Sequence, residues 1–391
     1  LCELVLTREC IEGLVALAKP SVESVTPEGG QQMKRKLLIA LIPLTVLMLI
    51  SSGVVYAVDK TTEIKFADPI VESAVREVIG KTSGTIHEDD VKVITLLIIH
   101  ANPLPWERDT IDLSGLEHLS RLRQLTIKNA SVTDFSQLSG LTDFECVHFY
   151  SCEITDLASL STLPHLESLS LRDCQVDDLS SMKLSNLAGL RHLSITNTHI
   201  SDISQLSFPA GLWSLHLQNN SISDIPQLSN LTDLMFLFLM ENQISDITPL
   251  SELSWLGSLN LTGNQISDIS SLSELSKLCS LSLAENQIRD ITPLATLNML
   301  SFLDLSGNHI SNIDSLPMSN LYHLDLQDND IVDLAPMLEN DIPRPVFERI
   351  QADSTRYGSG IELRIKGNPL SDASIEDYIP QLKEMGVVID Y

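Results

Sequence analysis

The chain has 391 residues and a formal charge of −27, with 52 acidic residues against 25 basic ones. Charge of this sign and size opposes binding to nucleic-acid phosphates and to anionic membrane surfaces, and it fits a soluble extracellular or surface protein. Residues 1–57 hold five residues of each sign, so the whole imbalance lies downstream of them.

The chain begins at Leu1, and the first Met is Met33. Glu28-Gly29-Gly30, just upstream of it, is what a purine-rich ribosome-binding site encodes when read through as protein. Residues 1–32 are therefore expected to be an untranslated upstream extension. Met33-Lys34-Arg35-Lys36 then opens a basic segment, Leu37 to Ile50 is an apolar run, and Val55-Tyr56-Ala57 has the small-x-Ala pattern of a signal-peptidase site. Residues 33–57 read as a signal peptide cleaved between Ala57 and Val58. The alternative is a retained single-pass anchor, because Leu37–Ala57 is long enough to span a bilayer.

Residues 58–110 read as an N-terminal cap. Within them Pro69–Gly80 has helical spacing at Val71, Val75, Val78 and Ile79, and a stop at Gly80. An insertion, Asn102–Asp109, carries Trp106 beside Pro105 and Glu107. From 111 to 335 the chain repeats every 22 residues as Leu-x-x-Leu-x-Leu-x-x-Asn-x-Ile. Leu234, Leu237, Leu239, Asn242 and Ile244 recur as Leu256, Leu259, Leu261, Asn264 and Ile266. The ninth position falls on Ala130, Cys152, Cys174, Thr198, Asn220, Asn242, Asn264, Asn286, Asn308, Asn329 and Asn368, which makes eleven units.

A fixed period of this length means a solenoid, in which each unit buries its apolar side against its neighbours. In Ser258-Leu259-Asn260-Leu261 the leucines alternate inward, and Ser258, Asn260 and Thr262 are expected to face solvent. After Asn264 the apolar residues Ile266, Ile269, Leu272, Leu275 and Leu278 follow at intervals of three, which suits 3₁₀ turns. The predicted fold is an α/β solenoid with a parallel sheet on its concave side, 3₁₀ turns on its convex side and a helical N-terminal cap. The Asn ladder, Asn220 to Asn329, is expected to bond backbone groups where each strand ends. An Asp column (Asp134, Asp156, Asp178, Asp202, Asp224, Asp246, Asp268, Asp290, then Asn312) reads as serial capping of the turns.

Residues 336–391 read as an insertion, a last repeat and a C-terminal cap. The insertion lies between Asn329 and Asn368 and contains a basic island: Pro343-Arg344-Pro345, Arg349 and Arg356. Pro380 to Met385 reads as a short helix stopped by Gly386, with Val387-Val388-Ile389 closing the stack. Of the six cysteines, Cys152 and Cys174 occupy the Asn position of adjacent repeats. They are expected to be buried thiols; a bridge between them is the alternative, since stacked strands lie about 5 Å apart.

The segments "NQISDITPL" and "NQISDISSL" resemble the leucine-rich repeats of bacterial internalin-like proteins. "AVREVIGKTSGTIHEDDVKVITLL" followed by "IDLSGLEHL" resembles their N-terminal cap. "GNPLSDASIEDYIPQLKEMGVVIDY" is similar to the terminal cap of secreted bacterial leucine-rich repeat proteins. The resemblance spans about Thr61–Tyr391. It implies a horseshoe that binds a protein or glycan on its concave face, secreted or exposed on a bacterial surface.

Most outward strand positions are small and polar, as at Thr126, Ser170, Ser194, Asn260 and Ser282. Phe236, Phe238 and Met240 depart from that, and are expected to form an exposed apolar patch. Phe302, Tyr150, His148 and His216 add further bulky groups, and Trp213 is expected on the rim. These are the candidate ligand-binding residues. His148 with Cys146, and His323 with Asp325, lack the further ligands a zinc site needs. His192, Ser194 and Asp173 share a side without the contact a triad requires. The chain is thus expected to have no catalytic or metal site and no cofactor, to bind no nucleic acid, to meet membrane only through Leu37–Ala57, and to be a monomer. The alternatives are a structural envelope component without a discrete ligand, or an intracellular regulatory scaffold if the export signal is unused.

Overall fold

A computed structural model describes residues 62–101, 109–155, 157–163, 165–176, 179, 182–339 and 361–391. The upstream extension, the signal segment with Ala57 and Val58, the Trp106 segment, Asp156, Asp178 and the basic island all lie outside the described residues. Within the unit Glu63–Tyr391 the repeated leucines build one long parallel sheet of 13 strands in chain order, from Leu96–His100 to Val388–Asp390. Its register is continuous: Leu215 pairs with Leu237, Leu237 with Leu259, and Leu259 with Leu281. Each of these leucines is at most 1 % exposed. Stacking them hides in one column what a single repeat would leave wet. The apolar period of three produces 3₁₀ turns, such as Thr248–Leu250, Ser270–Leu272 and Thr292–Thr296. They form the convex side of a leucine-rich repeat horseshoe.

The Asn side chains bond across repeats. Asn264 Nδ2 donates to Leu239 O of the preceding repeat and Leu261 O of its own, at 3.0 and 2.9 Å. Its Oδ1 accepts from Ile244 N at 2.9 Å. Asn242, Asn286, Asn308 and Asn329 repeat the pattern. Asn220 starts the ladder, accepting from Thr198 N and donating to Ile195 O and Leu217 O.

Upstream of Asn220 the same column holds thiols. Cys152 Sγ donates to Ile127 O, and Cys174 Sγ to Phe149 O, at 3.4 and 3.6 Å. They reach the carbonyl that an Asn amide reaches 25 residues back, and no disulfide joins them. A thiol is a poor acceptor for the next amide. A second parallel sheet, which the sequence did not suggest, serves instead: Asp109–Ile111, Ala130–Val132, Glu153–Ile154 and Gln175–Val176 pair in order. Backbone replaces side chain there, as where Gln175 N donates to Cys152 O at 2.8 Å.

The residue before each ladder position has positive φ, including Ser151, Glu241, Glu285 and Gly263. This left-handed turn aims the ladder side chain back into the stack.

The Asp column bonds the turn amides two residues on. Asp246 Oδ1 accepts from Thr248 N, Asp268 from Ser270 N and Asp290 from Thr292 N, at 2.8–2.9 Å. Asn312 does the same for Asp314 N without a charge. Asp224 cannot, because Pro226 has no N–H, and it accepts from Ser223 Oγ instead. The amide bonds hold the carboxyls of Asp246, Asp268 and Asp290 below their ordinary range. A depressed folded-state pKa contributes stability that is complete above the unfolded value of about 3.9 and lost as pH falls through the folded one. The triple variant Asp246→Asn/Asp268→Asn/Asp290→Asn keeps the acceptors but not the charge, and is therefore expected to be slightly less stable than the parent at neutral pH. It should also lose less stability between about pH 5 and 2, as read by urea unfolding. A parallel acid decline in both proteins would contradict this.

At the N-terminal end, helix Pro69–Ile79 is capped by Asp68, whose Oδ1 accepts from Ile70 N at 2.7 Å, and by Gly80 at φ 66°. Its buried stripe is Val71, Ala74 and Val75. Val78, expected in that stripe, is 49 % exposed, and in the last turn Ile79 packs against the core in its place. At the other end the helix starts earlier than expected. A π-helical turn, Ser374–Tyr378, precedes Ile379–Glu384, since Pro380 has no N–H for a regular ladder. Val388–Asp390 pairs with Glu362–Arg364 and completes the sheet.

Candidate interaction face of the main sheet

The solvent face of the main sheet is a grid. Strand Phe236–Phe238 turns Leu237 inward, and Phe236 and Phe238 outward. Phe236 lies between Ser214 and Ser258, and Phe238 between His216 and Asn260. Adjacent strands are about 4.8 Å apart, so each outward side chain is shaded by its two neighbours. The exposed apolar patch expected of Phe236, Phe238 and Met240 is accordingly corrected: all three are half-buried. The same shading corrects the small polar positions. Thr126 is 6 % exposed, Ser258 1 % and Ser282 8 %, although they lie at outward strand positions. Apolar exposure on this face lies instead at its two ends, at Leu96 and Ile98 on the first strand, 44 % and 42 % exposed, and at Val388 on the last, 60 % exposed.

The bulky candidates fall into three groups along the sheet. His148 and Tyr150 share strand Cys146–Tyr150. Lys128 Nζ lies 5.4 Å from the Tyr150 ring centroid. Further along the sheet, His216 meets Phe238, with ring centroids 4.5 Å apart and tilted 45°. His216 Nε2 is 3.0 Å from Ser214 Oγ. Phe302 forms the third group, stacked on His323 at 4.5 Å with planes 3° apart. Burial holds the His148 imidazole below its ordinary pKa; burial, then the nearby His192, does the same for His216. Both rings then meet a partner at neutral pH as uncharged donor–acceptors. Trp213 is 49 % exposed immediately before its strand, with the Arg191 guanidinium 5.9 Å from its ring.

Comparison with known proteins agrees with this geometry. A family model described as leucine-rich repeats (two copies) matches residues 164–208. Internalin InlF of Listeria monocytogenes is 27 % identical over 83 % of this chain and 96 % of its own, with a TM-score of 0.62. Internalin C2 of the same species is 30 % identical over 62 % of this chain and 94 % of its own, with a TM-score of 0.47. A leucine-rich repeat protein of Leptospira interrogans, 18 % identical over 77 % of this chain and 91 % of its own, shares the fold with a TM-score of 0.55. In repeat and in fold the chain is similar to bacterial internalins. No curated protein sequence matches it.

In this internalin-like protein the far end of the face is polar. His323 Nδ1 lies 3.2 Å from Glu362 Oε2, and Arg364 bonds Glu362 and approaches Asp325 at 3.6 Å. Burial raises the Asp325 carboxyl, and the neighbouring Asp304 adds to that; the Gln327 amide and Arg364 oppose it. Among the described residues no group of three or more His, Cys, Asp or Glu could hold a metal. Asp173 accepts from Asn197 Nδ2. No described helix is long and apolar enough to cross a membrane.

The stacking of His323 on Phe302 escaped the sequence because Asn308 to Asn329 spans 21 residues, one short of the period. Counting back from the ladder Asn, rather than forward by 22, finds it. Lys128, Leu96 and Ile98 were also passed over. Their signal was alternation within each strand, which identifies outward residues whatever their size.

Proposed function

We propose that this protein is a secreted or surface-exposed receptor for a protein ligand, which lies along the solvent face of the main sheet. The observation that carries the reading is the pair of ring contacts, His216–Phe238 and Phe302–His323, held outward on a rigid parallel sheet. Aromatic groups already fixed by a neighbour lose little entropy on binding, so more of their contact energy appears as affinity. The intervening strands carry small polar side chains, Asn260, Ser280 and Ser282, which leave room for a ligand to bridge both anchors.

The test is capture from bacterial envelope and host-cell extracts with the full chain, then titration of the captured protein. Phe238→Ser and Phe302→Ser are each expected to weaken that binding by tenfold or more, about 1.4 kcal/mol at least. Saturable binding that neither variant weakens would place the ligand elsewhere. Wall association with no saturable partner would favour the passive envelope role. The signal-peptide pattern of residues 33–57 supports secretion, and N-terminal sequencing of the extracellular form should then begin at Val58.

A further inference from the structure

The first five strands of the main sheet carry a charge opposite to that of the chain. Their outward positions include two fixed cations, Lys128 and Arg172, with the imidazoles of His100, His148 and His192, of which His148 is uncharged at neutral pH, and not one carboxylate. The last four strands present Asp304, Asp325, Glu362 and Asp390 against Arg364 as their fixed cation. In a chain with 52 acidic and 25 basic residues, a carboxylate-free block with two fixed cations runs against composition.

Resting on the protein-binding reading above, we propose that this N-terminal third of the face docks an acidic segment of the protein ligand. Lys128 and Arg172 stand two strands apart with Tyr150 between them in register. At about 4.8 Å per strand they are roughly 10 Å apart, the span of about three residues of extended chain. Lys128 Nζ rests over the Tyr150 ring. Arg172 Nε is 3.8 Å from Asp173 Oδ2, and Asp173 is already held by Asn197, so the guanidinium, 63 % exposed, keeps donors for a ligand. On the strand-entry rim Glu145 is paired with Arg123, and the Glu167 carboxylate lies within the field of the same guanidinium.

Exposed Leu96 and Ile98 border the cations on the same face. They favour a peptide with apolar residues among its acids over a uniform polyanion. The net charge of −27 repels a dense phosphate backbone but tolerates a short acidic run bound against local cations.

The probe is a fluorescein-labelled oligoglutamate peptide interspersed with leucine, titrated with the full chain and followed by anisotropy at about 20 and 150 mM salt. Binding is expected at low salt and should weaken at high salt. Lys128→Gln/Arg172→Gln should weaken it about tenfold, while Arg364→Gln, a half-buried cation of the same face, leaves it unchanged. Circular dichroism of the double variant should match the parent, since both side chains lie on the solvent face. No binding at low salt, an equal loss in Arg364→Gln, or tighter binding of heparin than of the peptide would overturn the proposal. A captured protein partner that needs Phe238 but not Lys128 and Arg172 would overturn it too, and would leave the proposed function standing.

Discussion

Replacing Asn264 with Asp is expected to destabilise the fold more than replacing it with Ala, although Asp is nearly the same size. Asn264 Nδ2 donates to Leu239 O and Leu261 O, and its Oδ1 accepts from Ile244 N. Each carbonyl has a second donor, because Asn242 also reaches Leu239 O and Asn286 also reaches Leu261 O. Alanine therefore orphans one buried amide, a cost of about 1–3 kcal/mol. Aspartate keeps the amide partner, but sets carboxylate lone pairs against two carbonyl oxygens in a site 8 % exposed. It must either ionise there or be protonated, and the expected loss is about 3–5 kcal/mol. Cys174→Ala, in the same column, is expected to lose under about 1 kcal/mol, since it removes only a weak thiol donor next to a backbone-paired sheet. Urea unfolding followed by circular dichroism would rank the three. An Asn264→Asp loss no larger than that of Asn264→Ala would refute the account of the ladder, as would a Cys174→Ala loss equal to that of Asn264→Ala.

The second large effect is expected at Gly115, where the N-terminal cap meets the first repeat. Its φ is 106°, and a Cβ there would stand 2.6 Å from Phe66 Cδ1 and 3.0 Å from the Lys65 carbonyl oxygen. Phe66 is 8 % exposed, and Ala67 N donates to Ser114 O beside it. Neither ring nor backbone can retreat without opening that seam. Backbone strain of about 1–2 kcal/mol and overpacking of about 1–3 kcal/mol give Gly115→Ala a loss on the order of 2–5 kcal/mol. A solenoid unfolds from its ends, because a terminal unit has one neighbour rather than two. The variant should therefore release Glu63–Gly80 first, with earlier proteolysis and faster hydrogen exchange there than at Leu259 or Leu281. Parent-like exchange in the helix Pro69–Ile79 would refute this.

Much of this architecture was legible from residue order. Leu237, Leu259 and Leu281 recur at one spacing, and a repeat has a single way to bury that spacing, by stacking. The interval of three after each ladder Asn excluded a long helix on the return side and left 3₁₀ turns. The candidate face was legible only as a set of outward positions. Phe236 and Phe238 read as exposed because a linear pattern tells inward from outward, and says nothing about how far neighbours cover an outward ring. His323 read as a companion of Asp325 on its own strand, whereas its contacts are Phe302 and Glu362 on either side.

The chain's own order was thus enough for the repeat, the parallel sheet and the polar ladder, because each follows from local periodicity applied again and again. Tertiary structure alone decided three further matters: which half of the ladder uses side chains and which uses a second sheet, which rings pair across strands, and where the face changes sign of charge. These depend on the register of strands 21 to 39 residues apart in the chain, which the stacked leucine and asparagine columns hold whatever the loop length between them.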